Sequence, residues 1–265
     1  MTESAGLDAE MHVEVSERGR GPYLLLVHGI CSSRAQWRLN LAELEAFCTP
    51  VVVELLGHGR SRSPADPAAY RVEAYLQRFE ALRAKLGAER WAICGQSMGA
   101  GLTLSYALAH PDRVIGQVFT NSNSALGPAN PALTEETRLA RAEAFERRGR
   151  EALQAMPFYP KQTGRLPREV EDELVADAAL ISLHGIAEAM RWTMPDLSVA
   201  ARLGEIDVPT LLVNGRREKR FQPFRDQAAK SIKGLRIADL NGGHPVNLDC
   251  PGAFTAAVRS FLEAL

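Results

Sequence analysis

Gly95-Gln96-Ser97-Met98-Gly99 decides how this chain is read. The stretch closes a short apolar run, Trp91-Ala92-Ile93-Cys94, and opens a helical pattern, Met98–Ala109. A reactive serine at a strand-to-helix junction needs a tight, strained turn, so its neighbours must be small. Gly95 and Gly99 supply that room. The helix N-terminus then offers unpaired N–H groups and a positive dipole end to negative charge developing beside Ser97. The spacing predicts a nucleophilic serine. An aspartate nucleophile is excluded, because position 97 is serine.

Outward from this junction, short apolar runs alternate with helical patterns, which predicts an α/β fold with a mostly parallel central sheet flanked by helices. Upstream, Tyr23–Val27 reads as a buried strand ending at His28-Gly29, and Arg34–Phe47 has helical spacing. Val51–Val53 is a second strand closed by Gly57-His58-Gly59, and a helix over Val72–Leu86 stops at Gly87. Downstream, Val114–Thr120 is a further strand. The rhythm then breaks. Residues 124–202 carry no convincing strand, but helical patterns at Thr134–Arg148, Glu169–Leu180 and Ile181–Trp192. It resumes with Val208–Val213, Gln222–Ser231, Leu235–Leu240 and Gly252–Ala264. The expectation is one core of residues 1–123 and 203–265, interrupted by a helical insertion over 124–202.

The 265 residues include 31 Lys+Arg and 32 Asp+Glu, and 46% are hydrophobic. That is ample for a core without disulfide or metal staples. A net charge of −1 argues against nucleic acid or an anionic membrane as partner. The first ten residues are acidic and small rather than basic then apolar, and Tyr23–Val27 is far too short to span a bilayer. The four cysteines lack CxxC spacing and read as reduced thiols. The chain therefore reads as soluble and cytoplasmic. No ligand cluster or phosphate-cradling loop stands out, so neither a metal nor an organic cofactor is expected. The expected partner is a small-molecule substrate, with a homodimer left open.

A serine hydroxyl needs a base, usually a histidine held by a carboxylate. Of the six histidines, His110 ends the helix that Ser97 begins and is ~20 Å away at 1.5 Å per residue. His184 lies in the insertion and His12 near the chain start, while His28 and His58 sit in loops at the edge of the site. His244, in Asn241-Gly242-Gly243-His244-Pro245, follows the last strand on a glycine-rich turn that aims it at Ser97.

With these residues in view, the chain resembles the α/β-hydrolase fold superfamily, in its lid-bearing subset of serine esterases and carbon–carbon hydrolases. The matching signatures are His28-Gly29-Ile30, Gly57-His58-Gly59-Arg60-Ser61, Gly95–Gly99, His110-Pro111-Asp112-Arg113-Val114 and Gly243-His244. By that resemblance, the oxyanion hole is the backbone N–H of Met98 plus that of Ile30. The insertion lies where a lid is usually placed. The triad acid is expected after the strand preceding the last, where Arg216-Arg217-Glu218-Lys219-Arg220 offers Glu218 instead of the commoner aspartate. Four flanking cations should keep Glu218 ionised. A solvated charge run remains the alternative, with Asp226 as the fallback acid. The site after Thr120, Asn121-Ser122-Asn123, holds no carboxylate.

Most apolar residues of the insertion are expected to pack its helices, and a minority to line a pocket: Phe158, Tyr159, Trp192 and Met194, together with His28 from the core. The expected activity is a serine hydrolase cleaving a small, mostly apolar carboxylic ester. The alternatives are carbon–carbon hydrolysis of a ring-cleavage diketone, a cofactor-free oxygenase or lyase, and a ligand-binding protein without turnover.

Overall fold

Parallel strands buried on both faces have to be apolar throughout, and the short runs of this chain meet that demand. A computed structural model describes residues 2–3, 10–128 and 134–265. Among them, eight strands form one sheet: β1 (Thr2–Glu3), β2 (Val13–Val15), β3 (Tyr23–Val27), β4 (Thr49–Val53), β5 (Trp91–Gly95), β6 (Val114–Thr120), β7 (Thr210–Gly215) and β8 (Arg236–Leu240). Their order is β1-β2-β4-β3-β5-β6-β7-β8. From β4 to β8 every pairing is parallel, while β2 runs antiparallel to β4 and to β1. The chain is thus an α/β fold with a mostly parallel sheet flanked by helices.

Alternation along each strand sends successive residues to opposite faces. Leu25, Val27, Val51, Val53, Ile93 and Leu212 enter one core with Tyr75, Phe79, Leu102 and Tyr106 of the helices Val72–Lys85 and Met98–Ala109. Leu24, Leu26, Val52, Cys94, Leu211 and Val213 enter the other, against Trp37, Leu44 and the helix Pro251–Leu262. Gly87, at φ +68°, stops the first of these helices. All four cysteines are unpaired.

Two elements depart from expectation. Arg34–Phe47 is not one helix but a 3-10 turn, Arg34–Trp37, followed by a short helix, Leu41–Leu44. Asn40 interrupts it by donating to the carbonyl oxygens of Asn247 and Pro251 and to Thr255. Trp37, Leu41 and Leu44 still share one core, which is why the spacing looked helical. The strand Val13–Val15 is too short for periodicity to announce.

Between β6 and β7 the described residues contain helices and no strand, among them Glu135–Arg148, Arg168–Ala179 and Leu183–Glu188. These helices dock on the loops that leave β3 and β4. Arg60 donates to Glu54 and to Asp177, and Ser33 donates to Asp177. Ser182 N–H donates to Gly57 O, where a Cβ on either Gly57 or Gly185 would strike the other's backbone.

Candidate active site

The loops after five consecutive parallel strands, β3, β5, β6, β7 and β8, converge at the carboxyl edge of the sheet. Open α/β sheets bind ligands there. Ser97 leaves β5 at φ +54°, ψ −113°, and Cys31 is the other non-glycine residue with positive φ among those described. Such a conformation costs ~1–3 kcal/mol and persists only where the surroundings enforce it. They do so here through close approach. A Cβ on Gly95 would overlap the Gly99 carbonyl, and one on Gly99 would overlap the Val27 carbonyl of β3.

Ser97 and His244 line one cleft of about 250 Å³. They are not hydrogen-bonded to each other in this conformation, and Gln96 Nε2 donates to the His244 carbonyl at 3.5 Å. Ile30 joins them on the lining. Among the described residues, neither the Ile30 nor the Met98 N–H donates to a protein acceptor.

His244 Nδ1 lies 2.9 Å from Glu218 Oε2. The two loops meet because Gly215 allows it: a Cβ there would overlap the Gly243 carbonyl. Arg217 N–H also donates to Gly242 O. Asn121 Nδ2 donates to Glu218 Oε2 at 2.9 Å and Asn123 Nδ2 to Oε1 at 2.7 Å. Burial pushes the Glu218 carboxyl up, but His244, Asn121 and Asn123 outweigh it and hold it below the ordinary carboxylate value. The ionised form thus owes its stability to these hydrogen bonds rather than to the four flanking cations. Glu218 is turned inward, whereas Arg216, Arg217, Lys219 and Arg220 are exposed. Asp226 is exposed and pairs with Arg225.

Phe158 stacks on the His244 ring, with centroids 4.7 Å apart, and lines the cleft together with Tyr159. Trp192, Met194 and His28 are not part of that lining. The guanidinium groups of Arg71 and Arg138 both lie over the Trp192 ring, and its Nε1 donates to Glu188. Met194 packs against the core. Trp192 lies in a π-helical turn, Ala189–Thr193, and Met194 opens the 3-10 turn that follows. His28 is wholly buried beneath the site.

Sequence reasoning passed over Asn121 and Asn123, having searched that segment for a carboxylate alone. It also passed over Gln36, Leu174 and Leu248 on the wall of the cleft. Glu171 shapes the same wall by accepting from the N–H groups of Thr163, Gly164, Arg165 and Leu166. Among the described residues, no group of three or more His, Cys, Asp or Glu is placed to hold a metal, and no helix is long and apolar enough to cross a membrane.

A family model described as alpha/beta hydrolase fold matches residues 22–251. The structure of a hydrolase from Pseudomonas aeruginosa PA01 is similar, with a TM-score of 0.78 and 26% identity over 95% of this chain and 94% of that one. MenH from S. aureus gives a TM-score of 0.82 at 20% identity, covering 97% of this chain and 99% of its own, and shows likeness of fold. A 2-hydroxymuconate semialdehyde hydrolase from Pseudomonas sp. (strain CF600) is 29% identical over 157 residues, 54% of each chain.

Proposed function

The chain belongs to the alpha/beta hydrolase fold family, and from that premise we propose that it is a serine hydrolase cleaving a small, mostly apolar carboxylic ester. The observation that carries the proposal is the Glu218–His244 contact beside a cleft that also holds Ser97. In this reading Ser97 Oγ attacks the carbonyl carbon, and its proton passes to His244 Nε2. Glu218 accepts from Nδ1–H, which fixes the tautomer and stabilises the imidazolium. The oxyanion sits between the free N–H groups of Ile30 and Met98, each worth ~3 kcal/mol in such sites. His244 then protonates the departing alkoxide, leaving an acyl-serine. It next takes a proton from water, which attacks the acyl carbon, and returns that proton to Ser97 Oγ as the acid is released. The Ser97–His244 hydrogen bond forms as substrate binds, as catalytic contacts in free enzymes commonly do.

Two features favour an ester over a ring-cleavage diketone. The described lining holds no arginine, its one lysine, Lys161, is exposed, and Ile30, Phe158, Leu166, Leu174 and Leu248 make much of the rest apolar. The volume is below that usual for a drug-sized ligand, which suits a short acyl chain. The test is a panel of p-nitrophenyl esters, acetate to octanoate, beside a vinylogous diketone, with Ser97→Ala as control. Turnover of the shorter esters that Ser97→Ala abolishes is expected. Turnover of the diketone alone, or ester turnover that survives in Ser97→Ala, overturns the proposal.

A further inference from the structure

His28 and His58 lie outside the cleft with no exposed surface, their rings edge to face at 5.1 Å. Each makes two hydrogen bonds to backbone. His28 Nδ1–H donates to the Gly29 carbonyl at 2.7 Å, and its Nε2 accepts from Leu55 N–H at 3.0 Å. His58 Nδ1–H donates to the Leu56 carbonyl at 3.0 Å, and its Nε2 accepts from Cys31 N–H at 3.1 Å. Two of the four, Leu55 N–H to His28 and Cys31 N–H to His58, tie the loop after β3 to the loop after β4, and the other two fix each ring within its own loop.

Their positions bear on Ile30. The Gly29 carbonyl and the Ile30 N–H belong to one peptide unit, and a planar trans peptide points them in opposite directions. Holding that carbonyl against His28, with Ser32 N–H also donating to it at 3.2 Å, therefore directs the Ile30 N–H away from the ring. The next peptide unit carries the Cys31 N–H, which His58 holds. Both planes flanking Ile30 are pinned. Cys31 pays for the bend with φ +60°, a left-handed conformation that a non-glycine residue keeps only when its neighbours enforce it.

Resting on the oxyanion site proposed above, we propose that His28 and His58 are positioning residues that together fix the two peptide planes around Ile30 and so aim its N–H at the reacting carbonyl. The arrangement requires both rings to be neutral with the proton on Nδ1, since an imidazolium would set an N–H against an N–H. Burial accordingly pushes His28 down to about 3, with His58 adding to the effect, and His58 down to about 4.

The test uses the full chain with His58→Leu, which removes the acceptor at similar bulk, and His58→Gln, which can restore one. Rates are normalised by titrating Ser97 with a fluorophosphonate, so unfolded protein does not count. For His58→Leu, kcat on an ester falls about 10- to 100-fold while KM stays within about threefold. A trifluoromethyl ketone, whose adduct carries the oxyanion, weakens by the same factor, and His58→Gln recovers most of both. In the wild type, histidine 15N spectra at pH 5 show two neutral Nδ1–H rings. A lower melting temperature with normalised kcat and ketone affinity unchanged overturns the positioning role, as do two rings that titrate near pH 6.5. A fully active Ser97→Ala overturns the underlying serine reading instead, so the two failures are told apart.

Discussion

Glu218→Gln isolates the contact on which the proposed chemistry turns. Three donors converge on this carboxylate: His244 Nδ1–H, Asn121 Nδ2 and Asn123 Nδ2. Glutamine keeps one acceptor oxygen and replaces the other with an NH2 group facing a donor. His244 relieves that clash by moving its proton to Nε2, the nitrogen that must accept from Ser97. An orienting acid replaced by its amide costs ~10⁴ in kcat in a serine protease of unrelated fold, which is ~5 kcal/mol of activation free energy. Here ~10³ to 10⁴ is expected, because in some molecules the new NH2 takes the Oε1 position, with Asn123 rotating its amide, and the remaining oxygen still accepts from His244. The assay is kcat/KM on the best p-nitrophenyl ester at pH 8, with thermal melting measured alongside. The fold should survive, since Gly215 and Gly243 still meet and Arg217 N–H still reaches Gly242 O. A folded Glu218→Gln within threefold of wild-type kcat/KM refutes the reasoning.

Ser97→Gly should abolish turnover yet raise stability by ~1 kcal/mol in urea unfolding, because glycine adopts φ +54° without strain. Ser97→Ala, equally inactive, should show no such gain. Phe158→Ala removes the ring stacked on His244 and should lower kcat/KM about 2- to 10-fold with little change in melting temperature. Stability should fall on acidification in two stages, visible in urea midpoints taken from pH 8 to pH 3. His28 and His58 have folded values near 3 and 4, below the ordinary 6.5, so the unfolded chain binds their protons first. Their contribution is complete above about pH 6.5 and is lost as pH falls toward 4, by up to ~1.4 kcal/mol per pH unit for each ring. Glu218, also depressed, adds a loss at lower pH as its carboxylate is protonated in the unfolded chain and then in the folded one. Glu218→Gln should lessen that lower stage, to which Glu80, held down to about 2, and the depressed Glu14 and Asp239 also contribute, and leave the upper one.

Local signals made the elbow legible. Gly95 and Gly99 are needed because backbone passes close to each, and a single sequence records that need. Glu218 was legible only through the resemblance, which places an acid after the strand preceding the last, where it is the lone carboxylate. Asn121 and Asn123 were not, because their use depends on β6 lying beside β7, which is a property of topology rather than of neighbouring residues. The chemistry of Trp192 and Met194 suggests a pocket, but Trp192 meets Arg71 and Arg138 and Met194 packs against the core, partners that hydrophobic spacing does not announce. The sequence places His28 in a loop at the edge of the site. Only the folded loop after β4 supplies the Leu55 N–H that turns its ring inward. The break at Asn40 was hidden for a similar reason, since its partners lie more than 200 residues downstream.

The most direct measurement is the site of a fluorophosphonate adduct. Trypsin releases Trp91–Arg113 as one peptide carrying both Ser97 and Ser105. Fragmentation should place a single adduct on Ser97 in the wild type and find almost none in His244→Gln. An adduct on another residue, or full labelling of Ser97 without His244, contradicts the account.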